Sequence, residues 1–133
     1  MEVHPISSKT ITLSTIEDII QNNKKLVLSE DSKEKVQKCR AYLDNKMASG
    51  KEVIYGINTG FGSLCNTVIS KEELGELQHN LVKSHACGLG EEIPQEIVRI
   101  MLLLKIQGLS YGHSGISIDT LSLLQELFNN QVY

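Results

Sequence analysis

"VIYGINTGFGSL", residues 53–64, interrupts a chain that is otherwise patterned for helices. A β-branched run ends at Tyr55, and Gly56, Gly60 and Gly62 then fall within seven residues. Glycine at that density punctuates regular structure and predicts a loop. A glycine-rich backbone can cradle phosphate where it leads straight into a helix N-terminus. "GINTGFG" matches neither GxGxxG nor GxxxxGK[ST], and "SLCNTVIS" separates it from the next helix, so phosphate binding is set aside. A passive surface loop is the simplest reading. Tyr55, Asn58, Thr59 and Phe61 are more specific than such a loop needs, and glycine hinges around an aromatic acid or base suit a mobile lid.

Upstream of the loop, "EVIYG" is β-branched and too short for a helix, which predicts a short strand or extended segment. Before it, a capping region at Ser29–Ser32 opens a charged helix to about Ala48, with Val36, Cys39, Leu43 and Met47 on one stripe. Gly50 is placed as its left-handed cap. "KLVL", Lys25–Leu28, reads as an extended connector. "STIEDII" predicts an earlier helix capped by Ser14, with Glu17 reaching back and Ile16, Ile19 and Ile20 on a shared face. His4 falls in an N-terminus read as mobile.

Downstream, Ser70 and Glu73 predict a capping box for a helix over about 71–87, stopped by Gly88 and Gly90. Pro94 opens a helix to about Ser110, where its missing N–H is no loss. "YGHSG" breaks the chain, and Ile118–Asn129 form a last amphipathic helix with Leu121, Leu124 and Phe128 on one stripe. The fold class is mainly α, a single helical domain over 1–133. The helix after Pro94 is apolar nearly all round, and such a helix must be buried on most sides. Five modest helices can hardly wrap it, so a larger body or an oligomer is expected to cover it.

The 133 residues carry a formal net charge of -3, which leaves no basic footprint for nucleic acid. The longest apolar run, Ile100–Leu104, is far too short to span a bilayer. With no basic-then-apolar start there is no secretory signal to read, and a cytoplasmic location is expected. Cys39, Cys65 and Cys87 fit neither a disulfide framework nor a CxxC metal pattern and read as free thiols. A nucleophilic Cys65 would need His and carboxylate partners that are not visibly arranged.

"NLVKSHACGLG" places His85 in the last turn of a helix beside Ser84, Ala86 and Gly88. A histidine there is stabilised by the helix dipole. It can equally bind or orient a substrate where the helix end opens into a pocket. His79, six residues earlier, lies about 600° round the helix and so on another face. A His–His metal pair is not expected, His113 reads as a turn residue, and no metal is predicted.

"YGINTGFG", then "LQHNLVKSHACGLGE", then the Pro94 helix and its "SG" turn, resemble the aromatic amino acid ammonia-lyase family, most closely its histidine-specific members. The resemblance is strong from Val53 to Tyr133 and looser before it. It implies an enzyme that eliminates ammonia from an amino acid, L-histidine giving urocanate, on an electrophilic methylidene-imidazolone group formed from an internal Ala-Ser-Gly. It implies Tyr55 as the catalytic base, Gly60 lining the substrate site, and Ser84 and His85 at the positions where substrate choice is read. Asn80 and Leu81 match the pattern as pocket-side packing. It also implies a homotetramer. A phenol in water titrates near pH ~10 and is a poor base at neutrality. Tyr55 would therefore need activation by a closed, water-poor site.

The letters Ala48-Ser49-Gly50 do spell the family's tripeptide, but at a helix end ahead of the tyrosine loop. They are read as a helix stop, and the cyclising segment is expected beyond residue 133, in a fuller protein of which this chain would be about a quarter. The isolated chain is then expected to be inactive. A related aminomutase, using the same group but returning ammonia to the β carbon, shares these positions. A noncatalytic helical module that pairs through its apolar helix is the remaining alternative.

Overall fold

The computed structural model describes residues 2–50, 53–70 and 72–132. The order of elements among them is β1 (Val3–Ile6), α1 (Leu13–Gln21), β2 (Lys25–Leu28), α2 (Glu30–Ser49), a 3-10 turn (Gly62–Leu64), α3 (Leu74–His85), α4 (Gln95–Ser110) and α5 (Ile118–Asn129). The chain divides into two compact units, residues 1–45 with 92–133, and residues 46–91.

In the first unit β1 and β2 are parallel, with Val3 opposite Lys25 and Ile6 opposite Leu28. A parallel pair needs a crossover, and α1 supplies it. His4, read as part of a mobile terminus, is thus a strand residue facing Leu26. Pro5 lacks an N–H and is tolerated because β1 is an edge. Ile6, Ile19, Leu26, Leu28, Val36, Leu103, Ile106, Leu121 and Phe128 make the core. Each such side chain contributes roughly 1.5–3 kcal/mol on burial.

Most helix boundaries follow the capping chemistry. Ser29 accepts from the N–H of Ser32 at 3.2 Å and starts α2. Ser117 accepts from Thr120 N–H at the same distance and starts α5. α1 differs: its cap is Thr12, which accepts from Thr15 N–H at 3.2 Å. Glu17 accepts instead from the side-chain amide of Gln21 at 3.0 Å. Of the short strand or extended segment expected before Tyr55, Val53 and Ile54 form no strand pairing among the described residues, and Lys51 and Glu52 lie outside them.

α4 buries one side only. Leu103, Ile106, Gln107 and Ser110 are buried, whereas Ile97, Met101 and Leu104 are 48, 57 and 45% exposed. Gln107 is polar on the buried side because its amide donates to Ser7 O at 2.8 Å and Lys9 O at 3.1 Å, holding the segment after β1. Arg99 donates to Asn23 Oδ1 at 2.6 Å and Ile20 O at 3.3 Å, with its guanidinium 5.2 Å from the centre of the Phe128 ring. No helix among the described residues is long and apolar enough to cross a membrane.

Candidate active site

The tyrosine loop belongs to the second unit and is closed by its own polar side chains. Ile54 N–H donates to Asn58 Oδ1 at 2.7 Å, and Gly56 N–H to Thr59 Oγ1 at 3.1 Å. The Thr59 hydroxyl then donates to Gly60 O at 2.9 Å. Side chains standing in for backbone partners are the mechanism by which Asn and Thr build tight turns. Residues 58–60 also pair with 67–69: Gly60 N–H donates to Thr67 O at 3.2 Å and Ile69 N–H to Asn58 O at 2.9 Å, around an antiparallel bridge between Thr59 and Val68. Thr59 is fully buried at the centre of this knot.

Gly60 is required by space. A Cβ there would meet Leu64 Cβ at 2.5 Å and Leu64 O at 3.0 Å. Its lack of a side chain lets the 3-10 turn fold back on the loop. Tyr55 sits on the outer turn, 62% exposed, and makes an edge-to-face contact with Phe61 at 6.1 Å between ring centres. Among the described residues its phenol has no hydrogen-bond partner. The loop backbone is therefore tied down while the one acid/base group it carries stays open.

α3 presents the second group. It begins at Leu74, later than the sequence suggests, because Ser70 Oγ bonds the Glu73 carboxylate at 2.6 Å rather than capping the helix N–H groups. It ends at His85. The His85 ring nitrogen Nδ1 lies 2.9 Å from Leu81 O and 2.9 Å from Ser84 Oγ, and Ser84 Oγ donates to the same carbonyl at 2.9 Å. A carbonyl only accepts, so Nδ1 carries the proton. In the neutral ring Nε2 is then left as an acceptor. Ser84 and the helix end thus fix which nitrogen His85 can offer to a ligand.

Tyr55 and Gly60 share the loop, and Ser84 and His85 share the helix end. Among the described residues no hydrogen bond or ring contact joins Tyr55 to His85. His79 and Asn80 are exposed on α3 and Leu81 is half-buried. Cys39 and Cys65 are half-buried free thiols and Cys87 an exposed one. No group of three or more metal-ligating side chains occurs among the described residues. Ala48-Ser49-Gly50 is a helix stop: Ser49 Oγ donates to Lys46 O at 2.6 Å, and Gly50 adopts φ +64°.

Residues 11–133 match the aromatic amino acid lyase family, and the chain belongs to it. Its relatives include the histidine ammonia-lyases of Legionella pneumophila, 43% identical over 92% of this chain, and of Alkaliphilus oremlandii, 42% identical over 96%. The chain spans about a quarter of their length, 24% and 25%. Among solved structures, Treponema denticola ergothionase superposes with a TM-score of 0.88 at 30% identity, covering 96% of this chain and 26% of that one. Pantoea agglomerans phenylalanine aminomutase gives 0.86 at 30%, covering 98% and 25%. Trypanosoma cruzi histidine ammonia-lyase gives 0.80 at 32%, covering 97% and 24%. The mainly helical fold with its small parallel sheet is thus the ammonia-lyase and aminomutase fold.

Proposed function

We propose that this chain is the N-terminal part, one domain over 1–133, of a cytoplasmic, homotetrameric histidine ammonia-lyase that converts L-histidine to urocanate and ammonia, and that the isolated chain is inactive. The observation that carries the reading is the Tyr55 phenol, exposed and without a hydrogen-bond partner among the described residues, on a loop whose backbone is held by Asn58 and Thr59. A base must be free to take a proton and positioned when it does so.

In this account Tyr55 accepts the β proton of the substrate. Neutral His85 offers Nε2 to a donor on the substrate, its tautomer set through Nδ1 by Leu81 O and Ser84. Gly60 is carried over as a site-lining position from the family motif, and here its missing side chain lets Leu64 pack against the loop that holds Tyr55. The complete enzyme's methylidene-imidazolone group, formed from an Ala-Ser-Gly outside this chain, supplies the electrophile that makes the amino group a leaving group. The family's Ala-Ser-Gly letters in this chain are taken up by the end of α2.

The test replaces the matching quarter of the Legionella pneumophila enzyme with this chain and follows urocanate absorbance. The chimaera is expected to deaminate L-histidine and this chain alone to do nothing. A folded chimaera without urocanate formation would contradict the reading. The likeness to the phenylalanine aminomutase supports a second reading, that the complete protein is an aminomutase. A β-amino acid in place of urocanate would select it.

A further inference from the structure

An open cleft of about 550 Å³ lies in the first unit, between α2 and the turn joining α4 to α5. We infer that this cleft binds a small aryl carboxylate, a flat apolar body with one negative charge, at a place separate from Tyr55 and His85 and independent of the lyase reading.

The walls are Tyr42 from α2 and Tyr111 from the turn, and Lys35, Lys38, Gly112 and His113 are among the other lining residues. Gly112 makes the close approach possible. It adopts φ +73°, and a Cβ on it would meet the backbone carbon and oxygen of Lys35 at 2.8 Å. The turn therefore lies directly on α2, and its flanking Tyr111 and His113 are brought to the same cleft as the α2 side chains.

The charges point to an anion. Acidic residues outnumber basic ones 16 to 13 in the chain, yet no Asp or Glu lines this cleft. The Lys35 ammonium is already committed, bonded to Asp31 at 2.9 Å and to Ser8 Oγ at 2.5 Å. Lys38 forms no ion pair, and the His113 ring makes no hydrogen bond, among the described residues. Lys38 is thus the cation available to a carboxylate, and His113 can add a donor. Two phenol rings, with the lysine stems, offer apolar surface to a flat body. The volume is within the range of small-molecule sites.

Such an open site with one uncommitted ammonium should bind weakly, with Kd on the order of 0.1–1 mM. The test is equilibrium dialysis of the 133-residue chain with labelled benzoate, checked by saturation-transfer NMR, which tolerates self-associated protein. Benzamide is the neutral isostere and inorganic phosphate the charge-only competitor. Saturable benzoate binding is expected, weakened about three- to fivefold in benzamide and in Lys38→Gln, the effect of one exposed ion pair. Lys105→Gln, on α4, should leave it unchanged. Lys38 and Lys105 are exposed, so neither variant threatens the fold. Benzamide binding as tightly as benzoate, or Lys38→Gln binding like the parent chain, would overturn the anion assignment. Inorganic phosphate displacing benzoate at equal concentration would overturn the aryl body. No saturable benzoate binding would overturn the site.

Discussion

Asn129 pairs with Leu26 as a strand would: Leu26 N–H donates to Asn129 Oδ1 at 2.7 Å, and Asn129 Nδ2 donates to Leu26 O at 2.9 Å. One turn earlier on α5, Gln125 Oε1 accepts from Leu28 N–H at 3.0 Å. A two-stranded sheet leaves its outer edge open to other chains. Here the free edge of β2 is closed by side-chain amides from a helix, so the sheet ends at two strands.

Asn129→Leu removes both bonds and leaves the N–H and C=O of fully buried Leu26 without those partners. Leaving a buried polar group unsatisfied costs roughly 1–3 kcal/mol. Urea denaturation should show a loss of about that size. A variant as stable as the parent would mean that water closes the edge equally well.

The pH dependence follows from His4 and its neighbours. Burial, and then the charge on Lys24, hold its pKa below the usual 6.5, against a smaller upward pull from Asp18. Lys24 is itself bonded to Asp18 at 2.8 Å and Glu2 at 2.9 Å. The unfolded chain then takes up a proton that the folded chain resists. Stability present above about pH 6.5 is lost as the pH falls toward the folded-state pKa, and this contribution levels off below it. His4→Gln should remove that step from a plot of stability against pH. Asp18, held low by its bonds to Lys24 and then Asn22, adds a separate loss below its usual 3.8. An unchanged step in His4→Gln would assign it elsewhere.

Gly112→Ala should be among the most damaging single-methyl changes in the chain. It forces a left-handed conformation on alanine and places a methyl 2.8 Å from Lys35 backbone atoms. Left-handed strain alone costs about 1–3 kcal/mol. Thermal unfolding should register that loss or more. Gly75→Ala, in α3 with open space around it, should not destabilise.

The exposed row Ile97, Met101 and Leu104 follows one face of α4 at helical spacing. Contiguous apolar surface of this kind drives association. Light scattering at micromolar concentration should find the isolated chain self-associated, and Met101→Lys should shift it toward monomer. A monodisperse parent monomer would remove the argument that this face is normally covered.

The parts legible in the sequence were those governed by local chemistry. α4 and α5 begin and end where Pro94 and the apolar spacing place them, and the Ser117 cap of α5 became visible only in the structure. α1 was misplaced because Thr12, Ser14 and Thr15 can each cap, and only the fold selects Thr12. β1 was illegible: four residues containing a proline become a strand only when α1 returns β2 beside them. Gln107, Gln125 and Asn129 look like solvent-facing residues, since nothing local reveals bonds to residues about a hundred positions away. At the candidate site Tyr55 and His85 stood out through their motifs. The support that Asn58, Thr59 and Leu81 give them became visible only through their hydrogen bonds.

The most direct measurement is urocanate production by the chimaera carrying Tyr55→Phe. Because Tyr55 is exposed and its hydroxyl bonds no described residue, the variant should melt with the parent chimaera. Loss of a positioned base should lower kcat by about 10²–10⁴-fold. A Tyr55→Phe chimaera turning over L-histidine near the parental rate would contradict the central claim that this phenol takes the proton.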